Sequence, residues 1–291
     1  MRSILHSSAV IVCFAAALPL PAQTPSEPPA VLRIIRESIK EGKSTAHRNS
    51  ETAFMLEAAR LKYPTNIIGM STLTGASEAW FLEAHDSFAA IESTLAAFDN
   101  PEAQYAKLDE LDAEFRTGSR VWIAIYRPDL SFHGQELMQN LPKARFMNVT
   151  LLRVHPGHES DFGELARMAA DASQKAMASQ PVAVYQPVSG SPAGTYIVFE
   201  PAASLKNMDG AGERDRAMLQ AMGDSTAKRF TKSLGDTIAS EESLLFSIEP
   251  RMSYVSRDFA AADPAFWNPK SDGSTSSTKA RPKTALKPVA K

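Results

Sequence analysis

Cysteine is almost absent from this chain. Cys13 is the only one in 291 residues, and it lies in a segment expected to be removed. The mature protein is therefore expected to have no disulfide and no thiol chemistry, so a packed core must hold it together. Charge of one sign is also lacking. Lys and Arg number 31 against 33 Asp and Glu, a formal net charge of −2 that becomes −3 once Arg2 is lost. That balance excludes an electrostatic footprint for nucleic acid. Long apolar runs are missing as well. Ala9 to Leu20, "AVIVCFAAALPL", is about a dozen residues, well short of the roughly 20 that a membrane-spanning helix needs. No phosphate-binding Walker loop, dinucleotide glycine pattern, HExxH pair or nucleophile elbow occurs, which removes the best-marked enzyme classes.

The two ends read as non-globular. Residues 1–22 have a positive start at Arg2, the apolar run, and a Pro-Ala-Gln break. This is the pattern of a secretory signal cleaved after Ala22, and it predicts a secreted or periplasmic protein. Lipidation at Cys13 is the weaker reading, because the small residues that precede a lipidated cysteine are missing. A Pro-rich leader over 23–30 follows. At the other end, 257–291 is expected to be a disordered basic tail. Its last part, 268–291, is Ser, Thr, Pro and Lys, with six cations against Asp272 and almost nothing to bury. A solvated tail is the plain reading, and contact with anionic envelope polymers or lipids is the sharper one.

Between the ends, the chain repeats its pattern. "VLRIIRESI" at 31–39 is strand-like, Gly42 turns the chain, and 44–62 has helical periodicity. "FMNVTLLRV" at 146–154, Gly157 and 159–178 repeat this at an offset of 115. Second strands follow Pro64 and Pro181, at 66–73 and 182–188, and each ends in a Gly/Ser turn. Third strands at 78–84 and 195–201 are offset by 117. Helical material then runs to about 116 and 240, and fourth strands close the halves at 120–128 and 243–255. Each half therefore reads strand, helix, strand, strand, helix, strand, the ferredoxin-like order. Such a sheet has helices on one face only, and the other face must be buried against something. The predicted units are a first repeat over 31–130, a linker over 131–144 and a second repeat over 145–256.

The order, the helix entry "EGKSTAH" and the hairpin "GMSTLTGASEAWFLEAHDSFAA" resemble the dimeric α/β-barrel superfamily, and are similar to secreted bacterial members of it. The resemblance implies an α+β fold in which tandem ferredoxin-like (βαββαβ) repeats pack sheet to sheet as an intrachain α/β-barrel pseudo-dimer, expected to be monomeric. The superfamily includes antibiotic-biosynthesis and haem-degrading monooxygenases, haem peroxidases, chlorite dismutases and binding proteins. Fold alone does not choose among these.

Candidate site residues fall in the first repeat. His47 and Glu51 lie one turn apart and continue the stripe Phe54, Ala58, Leu61 towards the start of the helix. This predicts a partly shielded pair near the barrel mouth, with Glu51 within reach of the imidazole. The plainer reading is a satisfied residue at the edge of the core. At the offset of 115 the second repeat has Phe162, heading the stripe Leu165, Ala169, Ala172, Ala176; at 117, Trp80 becomes Ile197, Glu78 becomes Thr195 and His85 becomes Ala202. Met70 and Thr72 share one strand face, Glu78 and Trp80 another, and Trp122 and Tyr126 a third. Met70, Thr72, Glu78, Trp80 and Trp122 could line a ligand pocket or simply fill the core. His155 and His158 flank a Pro-Gly turn and make a poor metal pair, and no metal is assigned. In His85-Asp86-Ser87 the last two residues read better as a helix cap. His133 falls in the linker.

Three functions follow from this reading. The first is binding of a small, mostly apolar ligand in a first-repeat pocket, with His47 and Glu51 fixing a polar group, Trp80 packing on it, and no cofactor or assigned reaction. The second, permitted by the resemblance, is a cofactor-free or haem-dependent oxidoreductase with His47 as proton shuttle or axial ligand. The third is an envelope interaction protein using the basic tail.

Overall fold

The computed structural model describes residues 27–98, 103–177 and 180–269. The predicted signal segment and most of the basic tail lie outside them. In chain order the elements are β1 (Val31–Ile39), α1 (Ser44–Leu61), β2 (Ile67–Thr72), β3 (Glu78–His85), α2 (Phe88–Phe98), α3 (Ala103–Ala113) and β4 (Arg116–Tyr126). After α4 (Gly134–Asn140) come β5 (Phe146–Val154), α5 (Glu159–Lys175), β6 (Ala183–Ser189), β7 (Thr195–Ala202), α6 (Ala211–Met222), α7 (Asp224–Thr237) and β8 (Ile238–Ile248). Two short helices, α8 (Arg257–Ala261) and α9 (Pro264–Trp267), end the described chain.

The strands form one closed antiparallel barrel in the order β1-β3-β2-β8-β5-β7-β6-β4. The expected barrel is present, and it closes edge to edge around one shared interior. β2 joins β8 through Met70 to Thr72, and β4 joins β6 through Ile123 to Tyr126. Closure removes every open edge, and it turns one face of each strand inwards. Each four-strand portion has the same local order, with its first strand flanked by its third and fourth.

Alternation decides what fills the barrel. Leu32 and Ile34 on β1, Met70 on β2, Trp80 and Leu82 on β3, Trp122 on β4, Val149 on β5, Ile197 on β7 and Phe246 on β8 belong to one core cluster. The interleaved residues Ile35, Ile39, Ile67, Ala79 and Phe81 form a second cluster under the helices of the first half. Leu152, Val154, Phe162, Val184 and Tyr196 form the third, in the second half. The turn before each long helix needs a left-handed residue, and Gly42 (φ 74°) and Gly157 (φ 87°) supply it without steric cost.

Several boundaries differ from the sequence reading. β8 spans 238–248 rather than 243–255, because Pro250 starts a 3-10 turn, Pro250–Met252, that packs on β2. The supposed linker 131–144 is ordered: α4 and a 3-10 turn, Leu141–Lys143, bury Leu137, Met138 and Leu141 against the barrel core. The predicted disordered tail is corrected over 257–267. Phe259 and Trp267 are buried, their rings meet at 5.1 Å, and Trp267 Nε1 donates to the Pro142 carbonyl at 2.7 Å. This segment closes one barrel end because two large aromatic side chains outweigh the polar residues around them.

Candidate functional site

His47 and Glu51 do meet, but not at the barrel mouth. Both lie on the outer face of the sheet beneath α1, and only 2% and 6% of their surface is exposed. They are buried because three elements converge on them. β1 turns Glu37 outwards by alternation, α3 brings Asp112 near its C-terminal end, and Arg116 opens β4 beside Ile39. His47 Nε2 is 2.8 Å from Glu37 Oε2, 3.7 Å from Asp112 Oδ2 and 3.9 Å from Glu51 Oε1. The principal partner of the histidine is therefore Glu37, with Glu51 farther off. Arg116 donates to Glu37 Oε1 at 2.8 Å, places Nε 2.8 Å from Asp112 Oδ2, and reaches the exposed Asp109 at 2.7 Å. The Phe81 ring lies 6.5 Å from the imidazole and closes the site from below.

This group carries more negative charge than positive in a dry place. Burial, reinforced by Glu37 and Asp112, holds the Glu51 carboxyl well above the usual carboxylate range. Burial also raises Asp112, against the opposing pull of His47 and Arg116. Neither Asp112 oxygen receives a hydrogen bond of regular geometry, although its residue is wholly buried. Sequence reasoning missed Glu37, Asp112 and Arg116. A glutamate between the apolar residues Ile35 and Ile39 on one strand face was the available signal for Glu37, and an Asp-Arg pair four apart was the signal for the other two.

The other five predicted residues are on the opposite side of the sheet or at its turn. Trp80 and Met70 are fully buried inside the barrel, and Trp122 lies 6.1 Å from Trp80 in an edge-on contact. Arg36 is held between the two indoles, its guanidinium 4.3 Å and 4.6 Å from their centres. Glu78 accepts from Arg36 Nη2 at 2.9 Å and from Trp80 Nε1 at 2.6 Å, which pairs the cation and satisfies the indole. The Thr72 hydroxyl accepts from the Glu78 backbone N–H at 2.9 Å and donates to the Ala76 carbonyl at 2.8 Å, which pins the hairpin turn. These residues therefore pack the core and do not line a first-half pocket with His47. The sheet separates them from it.

The large cavity is in the second half. About 510 Å³ opens between the outer face of β5–β8 and helices α5 and α6. The space exists because α5 presents Ala166, Ala169, Ala170 and Ser173 to the sheet where larger side chains would fill it. Leu152, Phe162, Val184 and Val198 give apolar walls. The floor is polar: Ser243 donates to Asn148 Oδ1 at 3.1 Å, and Asn148 donates to Glu200 at 2.7 Å. Arg214 and Asp215 of α6 also line it. A smaller pocket of about 310 Å³ lies at the barrel end under α4 and α8, lined by Leu32, Leu82, Met147, Tyr185 and Phe259.

The remaining histidines stand apart. His158 bonds Asp161 at 2.7 Å beside the exposed His155, and their rings are 6.3 Å apart. His133 stacks on Phe132 and bridges Glu136 and Gln174 at 3.1 Å each. His85 is buried 3.5 Å from Glu83, and burial lowers its pKa. Ser87 accepts from the Ala90 backbone N–H at 3.1 Å and caps α2.

By sequence, the chain matches no known protein family and no curated protein. By structure, it is similar to an anthrone oxidase-like protein at 11% identity and TM-score 0.50, over 77% of this chain and 93% of the other. A protein from Fusobacterium nucleatum described as a monooxygenase aligns at 11% identity and TM-score 0.49, over 76% and 93%. A chlorite dismutase variant from Candidatus Nitrospira defluvii aligns at 10% and 0.46, over 77% and 93%. These neighbours are of the dimeric α/β-barrel type. The likeness is one of fold alone.

Proposed function

We propose that this is a small-molecule-binding barrel protein, made of two fused ferredoxin-like units in one chain, whose ligand site is the second-half cavity. The observation that carries this reading is the pairing of a cavity of about 510 Å³ with apolar walls and a hydrogen-bonded Ser243–Asn148–Glu200 floor. Binding sites are of this kind: mostly apolar, with a few fixed polar groups that orient the ligand. A neutral or weakly basic amphipathic molecule fits best, because Glu200 and Glu241 both line the cavity. The fused-unit reading is supported by the identical strand order of the two portions. It is also supported by matched register: Ile39 pairs with Arg116 as Val154 pairs with Ile238. One chain closes the barrel by itself, which supports a monomer.

The test is a titration with the neutral fluorophore N-phenyl-1-naphthylamine. Ala169→Phe fills the cavity and should weaken binding at least 10-fold. Ala183→Phe, which crowds the barrel-end pocket, should leave it nearly unchanged. The opposite ranking would move the site to the barrel end, and no binding by the wild-type protein would sink the proposal.

The oxidoreductase alternative has the neighbours' names in its favour and assigns no step here. Neither His47 nor the large cavity supports a haem site. His47 is 2% exposed and locked by Glu37, and no His, Cys or Tyr lines the large cavity to serve as an axial ligand. Secretion directed by residues 1–22, and envelope contact through the basic segment 268–291, complete the proposal. Among the described residues no helix is long and apolar enough to cross a membrane. Fractionation of cells expressing the full chain checks both points: a cytoplasmic, uncleaved product would contradict secretion, and envelope association that survives loss of 268–291 would contradict a role for the tail.

A further inference from the structure

We infer that Glu37, His47, Glu51 and Asp112 form a site for one divalent first-row metal ion, a structural centre in the first half that is separate from the ligand cavity. Their four ligating atoms lie within 4.8 Å of one another, and all four residues are buried. Of the histidine-to-carboxylate distances, 3.7 and 3.9 Å fit a shared shell, and the 2.8 Å contact with Glu37 has to open slightly to join it. Atoms each about 2.1 Å from one ion stand roughly 3 to 4.2 Å apart.

Charge gives a second argument. Three carboxylates face one guanidinium, Arg116. A divalent ion brings the buried group to neutrality, with Arg116 retained as the outer partner of Glu37 and Asp112. Asp112 gives a third. It is fully buried, both its oxygens lack a regular hydrogen bond, and it points towards His47. The Ser50 hydroxyl stands near it without regular geometry. A buried carboxylate with incomplete hydrogen bonds is costly even with Arg116 Nε 2.8 Å from Oδ2, and an ion between Asp112 and His47 reduces that cost.

One imidazole nitrogen and three carboxylate oxygens suit Zn²⁺ or Mn²⁺ better than Ca²⁺ or Mg²⁺, which prefer all-oxygen shells. Four protein ligands and negligible exposure leave little room for substrate, so the centre is structural. The ion ties β1, α1 and α3 together. Binding needs the Nε2 lone pair, so the hydrogen bond between His47 and Glu37 has to give way on loading.

The experiment uses the full chain without an affinity tag, stripped with chelator and then given ZnCl2 or MnCl2 alone. Elemental analysis after gel filtration should find about one ion per chain. The melting temperature should rise by roughly 5–10 °C at saturating metal. His47→Gln and Glu51→Gln should each lose the ion and the shift. Should those variants fail to fold, histidine-labelled wild-type protein decides. Mn²⁺ should broaden the His47 imidazole signal and leave those of His133 and His155 sharp. Absence of retained ion in the wild-type protein, retention unchanged in folded variants, or broadening confined to the exposed histidines would each overturn the assignment. None of these outcomes depends on the ligand proposal, which is read by fluorophore binding.

Discussion

The two halves of the barrel use one strand order and opposite chemistry beneath their long helices. Strand register aligns Glu37 with Leu152 and Arg116 with Ile238, and the notional offset aligns His47 with Phe162 and Glu51 with Ala166. On one side these positions make a buried charged cluster, and on the other an apolar wall beside a cavity. Inside the barrel the contrast recurs more mildly. Arg36, Glu78, Trp80 and Trp122 interlock in the first half, where the second has Leu151, Thr195, Ile197 and Leu244. The same backbone thus tolerates either a hydrogen-bonded ionic group or hydrocarbon, provided each is internally complete. What it does not tolerate is half of an ionic group.

That contrast can be broken at several points. Removing Trp80 by Trp80→Ala is expected to cost about 3–5 kcal/mol, measured by denaturant unfolding, since it deletes a filled core volume and uncovers Arg36. Ile197→Ala, its counterpart, should cost less, about 2–4 kcal/mol. If the costs rank the other way, the interior of the first half is not the tighter one. Arg116→Met should cost about 3–5 kcal/mol, because Glu37 and Asp112 are left buried without their counter-ion. The combined variant Glu37→Leu, His47→Phe, Glu51→Ala, Asp112→Leu, Arg116→Ile gives the first half the residues of the second, Asp112 falling opposite Leu234 when Arg116 is aligned with Ile238. In metal-free buffer it should be as stable as the wild-type protein or more so, by up to about 4 kcal/mol. A combined variant no better than Arg116→Met would mean that the two halves are not interchangeable at these positions.

The smallest expected effect is on pH dependence. Burial depresses the pKa of His85 below its ordinary 6.5, so the folded state binds less proton than the unfolded one as pH falls. The stability it confers is complete above about 6.5 and is lost progressively below that value. His85→Ala, the residue found at the equivalent Ala202, should remove this acid-side slope in a series of melts from pH 7 to pH 5. An unchanged slope would place its origin elsewhere.

Much of the architecture could be read from alternation and turn residues. β1 and β5 begin and end where the sequence reading put them, at 31–39 and 146–154, because apolar residues face both sides of those strands. β4 and β8 were misplaced at their starts. Their first turns, "RTGS" and "IASEE", are exposed and polar and carry no hydrophobic period. Of the charged cluster, only the His47–Glu51 pair was legible, since both residues sit on one helix. Arg116 lies 79 residues from Glu37 and meets it only through strand pairing. The cavity was hidden for a different reason. Ala169 read as part of an ordinary core stripe, and nothing in a sequence says whether the facing strand fills the space that it, Ala166 and Ala170 leave. The ordering of 257–267 was masked by the polar stretch that follows it.

The most direct test of this division of labour is a paired titration of the five-residue combined variant with MnCl2 and with N-phenyl-1-naphthylamine. The account predicts that Mn²⁺ binding disappears while fluorophore affinity stays within about twofold of the wild-type value. Retained Mn²⁺ binding, or fluorophore affinity lost along with the metal, would contradict it.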